Sequence, residues 1–567
     1  MPRATQRHLL ARAAASVSIA ALAFAPGCAT AGAAAAKTTA AQWYEVRSPH
    51  FQLWTDGNPH EVRGLALDLE RFHEVMLSKT RAEERSAAPP LRIFVAKDEA
   101  SFRALTGLRF SGVFSATYQG NYALITSQPR AAAGQDTKPE QASPGEAGLE
   151  PDSRDVLFHE YAHYVWASGG ARVPSWYIEG FAEYMATTRF LADGSYTLGC
   201  PPRHRTRWVE HLDWLPIGRV MEAESVTRLG ARRTLGQGSS KQLVMTSDSY
   251  AESWYAVHYF SADPARQAQL GAYLTAWADG ATGEQAVQKA FGMSYAELDA
   301  TLRAYAKRSD FPCVAIEPTS PLPSPAIDVK PLASAEAHHH VGALLLAMFG
   351  PTEAASNVLQ RAAELDPNAP RTLAALARAH WRRAEQSAGE AALTALQQAE
   401  QYLERARRLG SQDSEVSTLE GHVRRLRATH WKASGNAAAG EELLRARKAY
   451  RKAIRADETI AEAYYGLGAS YLIEDNGSQE PVVVLEAAAY LLPLEPGVAW
   501  ALAQLHIARG NPVQAGPALE HILRWSKNEE QLAKAHAAID ELRSAAGGGQ
   551  AAGRPPTPPS ADAGERE

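Results

Sequence analysis

The chain has 567 residues, 45% of them hydrophobic and 21% charged, and is too long for one core, since single cores stop growing near about 250–300 residues. Its 58 Lys and Arg against 63 Asp and Glu give a net charge of −5, which leaves no basic excess for a nucleic-acid partner. The hydrophobic and charged fractions exclude a disordered or polytopic membrane chain, and three cysteines exclude a disulfide-dense scaffold or a four-cysteine zinc framework.

Arg3, Arg7 and Arg12 precede an apolar run from Ala13 to Ala25, the pattern of a secretory signal and too short to span a bilayer as a mature helix. The run closes on Ala25-Pro26-Gly27-Cys28. This resembles the lipobox of bacterial lipoproteins, in which the cysteine is lipidated and becomes the new amino terminus. Leu is usual where Ala25 stands and Pro26 is out of pattern, so ordinary cleavage near Ala29-Thr30-Ala31, with Cys28 lost, stays open. Both routes imply an exported, periplasmic protein. Lipidation at Cys28 would add anchorage to the outer membrane, and no other segment is apolar and long enough to cross one.

After a signal over 1–28 and a small-residue spacer over 29–42, a mixed domain is expected over 43–311. Trp43–Val46 and Phe51–Trp54 alternate as short strands. Leu65, Leu69, Phe72 and Met76 have helical spacing. Leu91–Val95 reads as a strand, Glu99–Leu105 as a helix and Tyr122–Thr126 as a further strand, a candidate sheet edge for pairing with an extended peptide. Residues 131–153 read as a loop, and helices are expected to dominate from Asp155 to about Arg308.

The chemistry concentrates in Phe158-His159-Glu160-Tyr161-Ala162-His163-Tyr164. Two His at i and i+4 project from one helix face and can share a metal ion, while the Glu between them reaches water at that metal. Pro174 can reverse the chain, so a second helix carrying Glu179 and Glu183, again one turn apart, runs back beside the first. Two imidazoles and one carboxylate leave an open position, as catalytic zinc sites do.

His-Glu-x-x-His followed by Trp176-x-x-Glu179-Gly180-x-Ala182-Glu183-Tyr184 resembles the gluzincin metallopeptidases. Nearest in pattern is the bacterial peptidase MA-like group, which often carries tetratricopeptide repeats behind the peptidase. Ser48-Pro49-His50-Phe51 and Tyr250-Ala251-Glu252-Ser253-Trp254 agree with that pattern. The resemblance covers about Trp43 to Lys307 and is strongest over Phe158 to Tyr184. It implies one zinc ion per chain held by His159, His163 and Glu179, with Glu160 as general base. Glu183 would orient a ligand imidazole, though as a third ligand it stays an alternative. Tyr250 would donate to the oxyanion, against the plainer reading of an aromatic packed at a helix start. The 15 residues between His163 and Glu179 are fewer than the neutral aminopeptidases use, so the interhelical loop is short.

A Pro-rich stretch over 312–332 reads as an interdomain linker. Beyond it, Ala355/Leu359/Ala362, Ala399/Leu403/Ala406, Ala446/Tyr450/Ala453 and Ala515/Leu519/Ile522 share offsets 0, 4 and 7. With Tyr464–Tyr471 as a first-helix pattern, these resemble four to five degenerate tetratricopeptide repeats over 333–545, with a disordered tail over 546–567. Consecutive His338, His339 and His340 point about 100° apart on a helix and cannot chelate jointly, so a solvated helix start is expected. The Arg-rich runs 405–408 and 424–427 read as solvated faces.

The expected protein is therefore an α+β gluzincin-like zinc metallopeptidase followed by an all-α tetratricopeptide solenoid. Peptide or protein is its substrate, and a protein partner is expected on the repeats. The alternative is an envelope scaffold whose peptidase-like domain is silent. With Cys28 lipidated or lost, Cys200 and Cys313 remain as a disulfide candidate in an oxidising compartment.

Overall fold

The computed structural model describes residues 41–80, 90–106, 112–127, 153–169, 173–202, 214–223, 232–235, 242–245, 248–308, 310–411, 413–526 and 529–550. The signal region with Cys28 lies outside them, as do most of the 131–153 loop and the last residues of the tail.

The amino-terminal part is built on strands β1 (Tyr44–Arg47), β2 (Phe51–Thr55), β3 (Leu91–Ala96), β4 (Gly112–Thr117) and β5 (Gly120–Thr126), with helices α1 (Pro59–Thr80) and α2 (Glu99–Thr106) between them. They form one sheet with a sixth strand, β11 (Asp328–Pro331), in the order β11-β1-β2-β3-β5-β4. The β2–β3 and β3–β5 pairs are parallel, and α1 crosses over between the first of them. Successive side chains leave opposite faces of a strand, and here both sets are apolar. Phe51, Leu53, Ile93, Val95, Ala123 and Ile125 pack on α1 and on α3 (Ser153–Gly169). Trp54, Phe94, Tyr122 and Leu124 face the other way.

Two expectations change here. Tyr122–Thr126 is not an edge: β5 is flanked on both sides, and the edge strand is β4, whose Gly-Val-Phe-Ser-Ala-Thr carries no clear alternation. The 312–332 stretch is not a linker, and the domain does not end at 311. Its β10 (Val314–Ile316) pairs with β7 (Tyr196–Leu198), which also pairs with β6 (Arg189–Phe190), while β11 pairs with β1 residue by residue from Tyr44↔Pro331 to Arg47↔Asp328. Proline is tolerated because β11 is an edge, where its missing N–H costs no ladder bond. Helices dominate the region after residue 155, as expected. Besides α4 (Ser175–Ala186), α5 (Ile217–Met221), α6 (Asp248–Ser261), α7 (Pro264–Ala278), α8 (Gly283–Phe291) and α9 (Tyr295–Ala306), it holds β6, β7 and the hairpin of β8 (Arg232–Leu235) with β9 (Gln242–Met245).

The carboxy-terminal part is an all-α solenoid. Five helix pairs are described: α10 (Ser334–Phe349) with α11 (Glu353–Leu365), α12 (Pro370–Glu385) with α13 (Gly389–Arg408), and α14 (Ser414–Ala433) with α15 (Ala439–Ala456). Then come α16 (Ala461–Ile473) with α17 (Glu480–Leu491), α18 (Pro496–Ala508) with α19 (Pro512–Trp525), and a last helix α20 (Glu529–Gln550). That helix runs into the stretch expected to be a disordered tail from residue 546. The residues at offsets 0, 4 and 7 are all buried on the second helix of a pair. The fourth pair fits the same offsets as Pro481/Leu485/Ala488, all buried, with proline in the small-residue place. Gly421 and Gly466 let Tyr450 lie between helices, since a Cβ on either would meet its ring. No described helix is long and apolar enough to cross a membrane.

The solenoid is part of the sheet's packing. Val341, Leu344 and Leu345 of α10, Leu359 of α11 and Leu376 of α12 cover the Trp54/Phe94/Leu124 face. His340 lies against Trp54 with ring centroids 4.7 Å apart, and His338 is buried, so the histidine run seals an interface and is not a solvated helix start. Of the two arginine runs, 405–408 is a solvated face, with Arg405 and Arg408 exposed, but 424–427 is not. Arg424 and Arg427 both reach the buried Glu442 (3.3 and 3.1 Å) across the α14–α15 pair.

Two outcomes follow. A fragment of residues 43–311 lacks β11 and exposes the tryptophan-lined face; it is expected to aggregate, whereas residues 43–408, which keep α13 on the Leu373/Trp381 face of α12, should run as a soluble monomer in size-exclusion chromatography. Glu495, at the start of α18, has its carboxyl pushed up to about 7, chiefly by burial, against the opposing Gly497 N–H and Arg382. The fold therefore favours its protonated form: its stabilising effect is full below the ordinary value of 4.5 and is lost as pH rises through about 7. Glu495→Gln should flatten the fall in Tm measured between about pH 4.5 and pH 7.

Candidate metal centre

Helix α3 buries Leu157, Phe158, Tyr161, Ala162 and Val165 in the core. Phe158 stacks on Phe72 of α1 (centroids 4.1 Å apart), and Tyr161 Oη lies 2.7 Å from His73 Nδ1. Those anchors fix the helix's rotation and turn His159 and His163 towards α4. The conspicuous Ser48-Pro49-His50-Phe51 serves the same scaffold. Buried Glu70 of α1 accepts from Ser48 Oγ (2.6 Å) and the His50 backbone N–H (2.9 Å), tying the start of β2 to α1.

Helix α4 begins after Pro174 and is almost wholly buried. Its Glu179 and Glu183, one turn apart, face α3. Gly180 explains how α4 sits so close to α6: a Cβ there would strike the Ser253 carbonyl oxygen and lie 2.8 Å from Val257. Ser253 belongs to the Tyr250–Trp254 segment, whose buried Glu252 accepts the Leu215 backbone N–H (2.7 Å). The glycine of the Glu-Gly pair thus sets the spacing between the helix bearing Glu179 and the helix bearing Tyr250.

Three atoms converge. His159 Nε2 and His163 Nε2 are 3.0 Å apart, and Glu179 Oε2 lies 3.5 and 3.3 Å from them. His159, His163 and Glu179 form the group among the described residues whose ligand atoms all fall within 4.8 Å of one another. Glu179 Oε2 is buried and makes no hydrogen bond among the described residues. A buried carboxylate oxygen left unsatisfied is costly, and two imidazole nitrogens aimed at the same point cannot all be satisfied by protons. This N,N,O donor set fits a divalent transition ion such as zinc. Burial raises the Glu179 pKa, but the two imidazoles outweigh it and hold the carboxyl well below the usual carboxylate range. Burial pulls His159 down, yet Glu179, Glu183 and Glu160 push it up overall. Protons would therefore compete with any metal for the same lone pairs.

Glu183 Oε1 lies 3.6 Å from His159 Nδ1, on the far side of the ring from the convergence point. The structure thus brings Glu179, and not Glu183, to the Nε2 atoms. Glu160 is half-buried beside His159. Tyr250 is also half-buried, in the first turn of α6, its ring centroid 6.3 Å from that of His159. Cys200 and Cys313 are joined by a disulfide (Cα–Cα 4.4 Å) that links the ends of β7 and β10. Sequence reasoning missed one neighbour altogether. Trp525, the last residue of α19, stands 6.1 Å from the His163 ring, centroid to centroid.

No family model and no curated protein matches the chain. Solved structures similar to parts of it include TTC0263, a thermophilic tetratricopeptide protein of Thermus thermophilus. It is 17% identical, with 36% of this chain and 98% of that one covered and a TM-score of 0.31. Human IFIT1 as a dimer with PPP-AAAA is 14% identical over 61% of this chain and 75% of that one, with a TM-score of 0.24. Likeness at these scores carries no argument, and the description of the solenoid rests on its helix pairs.

Gly180→Ala is expected to cost about 3 kcal/mol in urea unfolding, the upper end for overpacking. Gly64→Ala in α1, where a Cβ meets nothing within 4 Å, should be neutral or slightly stabilising. Glu183→Gln should weaken zinc binding by roughly 10–100-fold in a competition titration while the fold is kept.

Proposed function

We propose that this is an exported zinc metallopeptidase of gluzincin type, hydrolysing peptide bonds, with its solenoid serving as a protein-interaction module. The observation that carries the reading is the convergence of His159 Nε2, His163 Nε2 and Glu179 Oε2 on one point. A bound zinc would supply a Lewis acid that makes water a usable nucleophile near neutral pH and polarises the scissile carbonyl. The chain's own residues do the rest. Glu160 accepts the proton from the attacking water and passes it to the departing amine. Tyr250 donates its hydroxyl to the developing oxyanion. Glu183 holds the His159 ring so that Nε2 keeps its lone pair for the metal. Export rests on the Arg3–Ala25 signal pattern, with lipid attachment at Cys28 as one route, and the Cys200–Cys313 disulfide is in keeping with an oxidising compartment.

One observation favours a second reading, an envelope scaffold with a silent peptidase-like domain: a residue of the solenoid, Trp525, stands against His163. A peptide-library cleavage profile separates the two. The wild-type chain should cleave a subset of peptides, and Glu160→Gln should retain zinc but lose hydrolysis. Tyr250→Phe should lower kcat by about 10²-fold, the usual cost of one oxyanion donor, with KM little changed. Identical profiles for wild type and Glu160→Gln would leave the scaffold.

A further inference from the structure

The solenoid touches the amino-terminal domain at a second place, far along the chain from the sheet interface. The tight turn between β4 and β5 enters its groove. Tyr118 stacks on Tyr465 of α16 with ring centroids 4.2 Å apart. The Gln119 side-chain oxygen, in the orientation that satisfies the amide, accepts from Arg378 Nε of α12 (2.7 Å). Arg378 is itself buried against Glu462 of α16 (2.8 Å). The Tyr118 hydroxyl lies where a Cβ on Gly497, in the first turn of α18, would sit.

This contact and the metal centre are joined through one helix pair. The start of α18 and the end of α19 lie together, since His521 Nε2 of α19 donates to the Pro493 carbonyl (2.7 Å) just before α18. One turn beyond His521 is Trp525, against the His163 ring and packed on the amino-terminal core. Whatever seats Tyr118 on α16 and α18 therefore also sets where Trp525 stands.

We propose that the solenoid is a clamp over the chain's own metal centre, latched by the Tyr118-Gln119 turn, so that Trp525 guards access to His163 until the turn leaves the groove. This regulation rests on the metal reading above. The turn is the groove's resident ligand, held by aromatic stacking and a guanidinium–amide bond, and a protein that takes that place would open the site.

Gly497→Ala tests the latch in the full-length chain without altering the turn or the centre. Its methyl displaces the Tyr118 hydroxyl, and alanine is favoured over glycine within a helix. Zinc transfer from the loaded protein to the chelator 4-(2-pyridylazo)resorcinol should be at least about tenfold faster than in the wild type, because opening precedes release. Trp525→Ala should accelerate it similarly, and the two together no further. Wild-type release rates in Gly497→Ala, or additive effects of the two substitutions, would overturn the clamp. Deuterium uptake by the metal-free chains gives the independent readout: Gly497→Ala should raise it over α3 and α19. Unchanged uptake refutes the clamp even if no zinc binds, whereas raised uptake in a chain that holds no zinc supports it and refutes only the metal reading.

Discussion

A sheet that is apolar on both faces cannot stand with one of them bare, and the rest of this molecule follows from that constraint. Leu53 and Trp54, Ile93 and Phe94, Ala123 and Leu124 send alternate side chains to opposite sides of the same strands. At roughly 25 cal/mol per Å² of apolar surface, leaving Trp43, Trp54 and Phe94 in water would cost several kcal/mol, a large share of a domain's net stability. Helices α1 and α3 cover one face. The first three helices of the solenoid cover the other, and β11 closes the β1 edge on the way. The solenoid is therefore a structural layer of the amino-terminal domain, and its later repeats bring Trp525 beside His163 of the candidate metal centre.

Burial governs the centre in the same way. A helix buried as deeply as α4 must satisfy every polar group that it carries inward. Glu183 is set against the His159 ring, but Glu179 Oε2 is buried without a hydrogen bond among the described residues. A cation would satisfy that oxygen together with the two imidazole nitrogens at van der Waals separation from it. Gly180 makes the arrangement geometrically attainable, because it allows α4 to approach the α6 backbone closely enough for Tyr250 to share the site.

What could be read from the chain was what is local. His159, His163, Glu179 and Glu183 declare themselves because one helical turn fixes which residues share a face. The solenoid's second helices were legible wherever a small residue opened the pattern, and the fourth escaped only because Pro481 holds that place. The misreadings concern pairings between distant segments. Nothing within Tyr122–Thr126 says which strand lies outside it, nothing in a Pro-rich stretch announces that four of its residues complete a sheet begun at Tyr44, and a histidine run looks solvated until Trp54 is brought against it. Trp525 carries no motif, and its place beside His163 exists only in the folded chain.

The central claim is that His159, His163 and Glu179 hold one metal ion. Elemental analysis of the full-length protein, purified without chelator and dialysed against metal-free buffer, tests it most directly. We expect about one zinc per chain in the wild type and essentially none in Glu179→Ala, with the two circular dichroism spectra superimposable. A wild-type chain that is folded by the same spectrum yet carries no zinc, and takes up none when it is supplied, would contradict it.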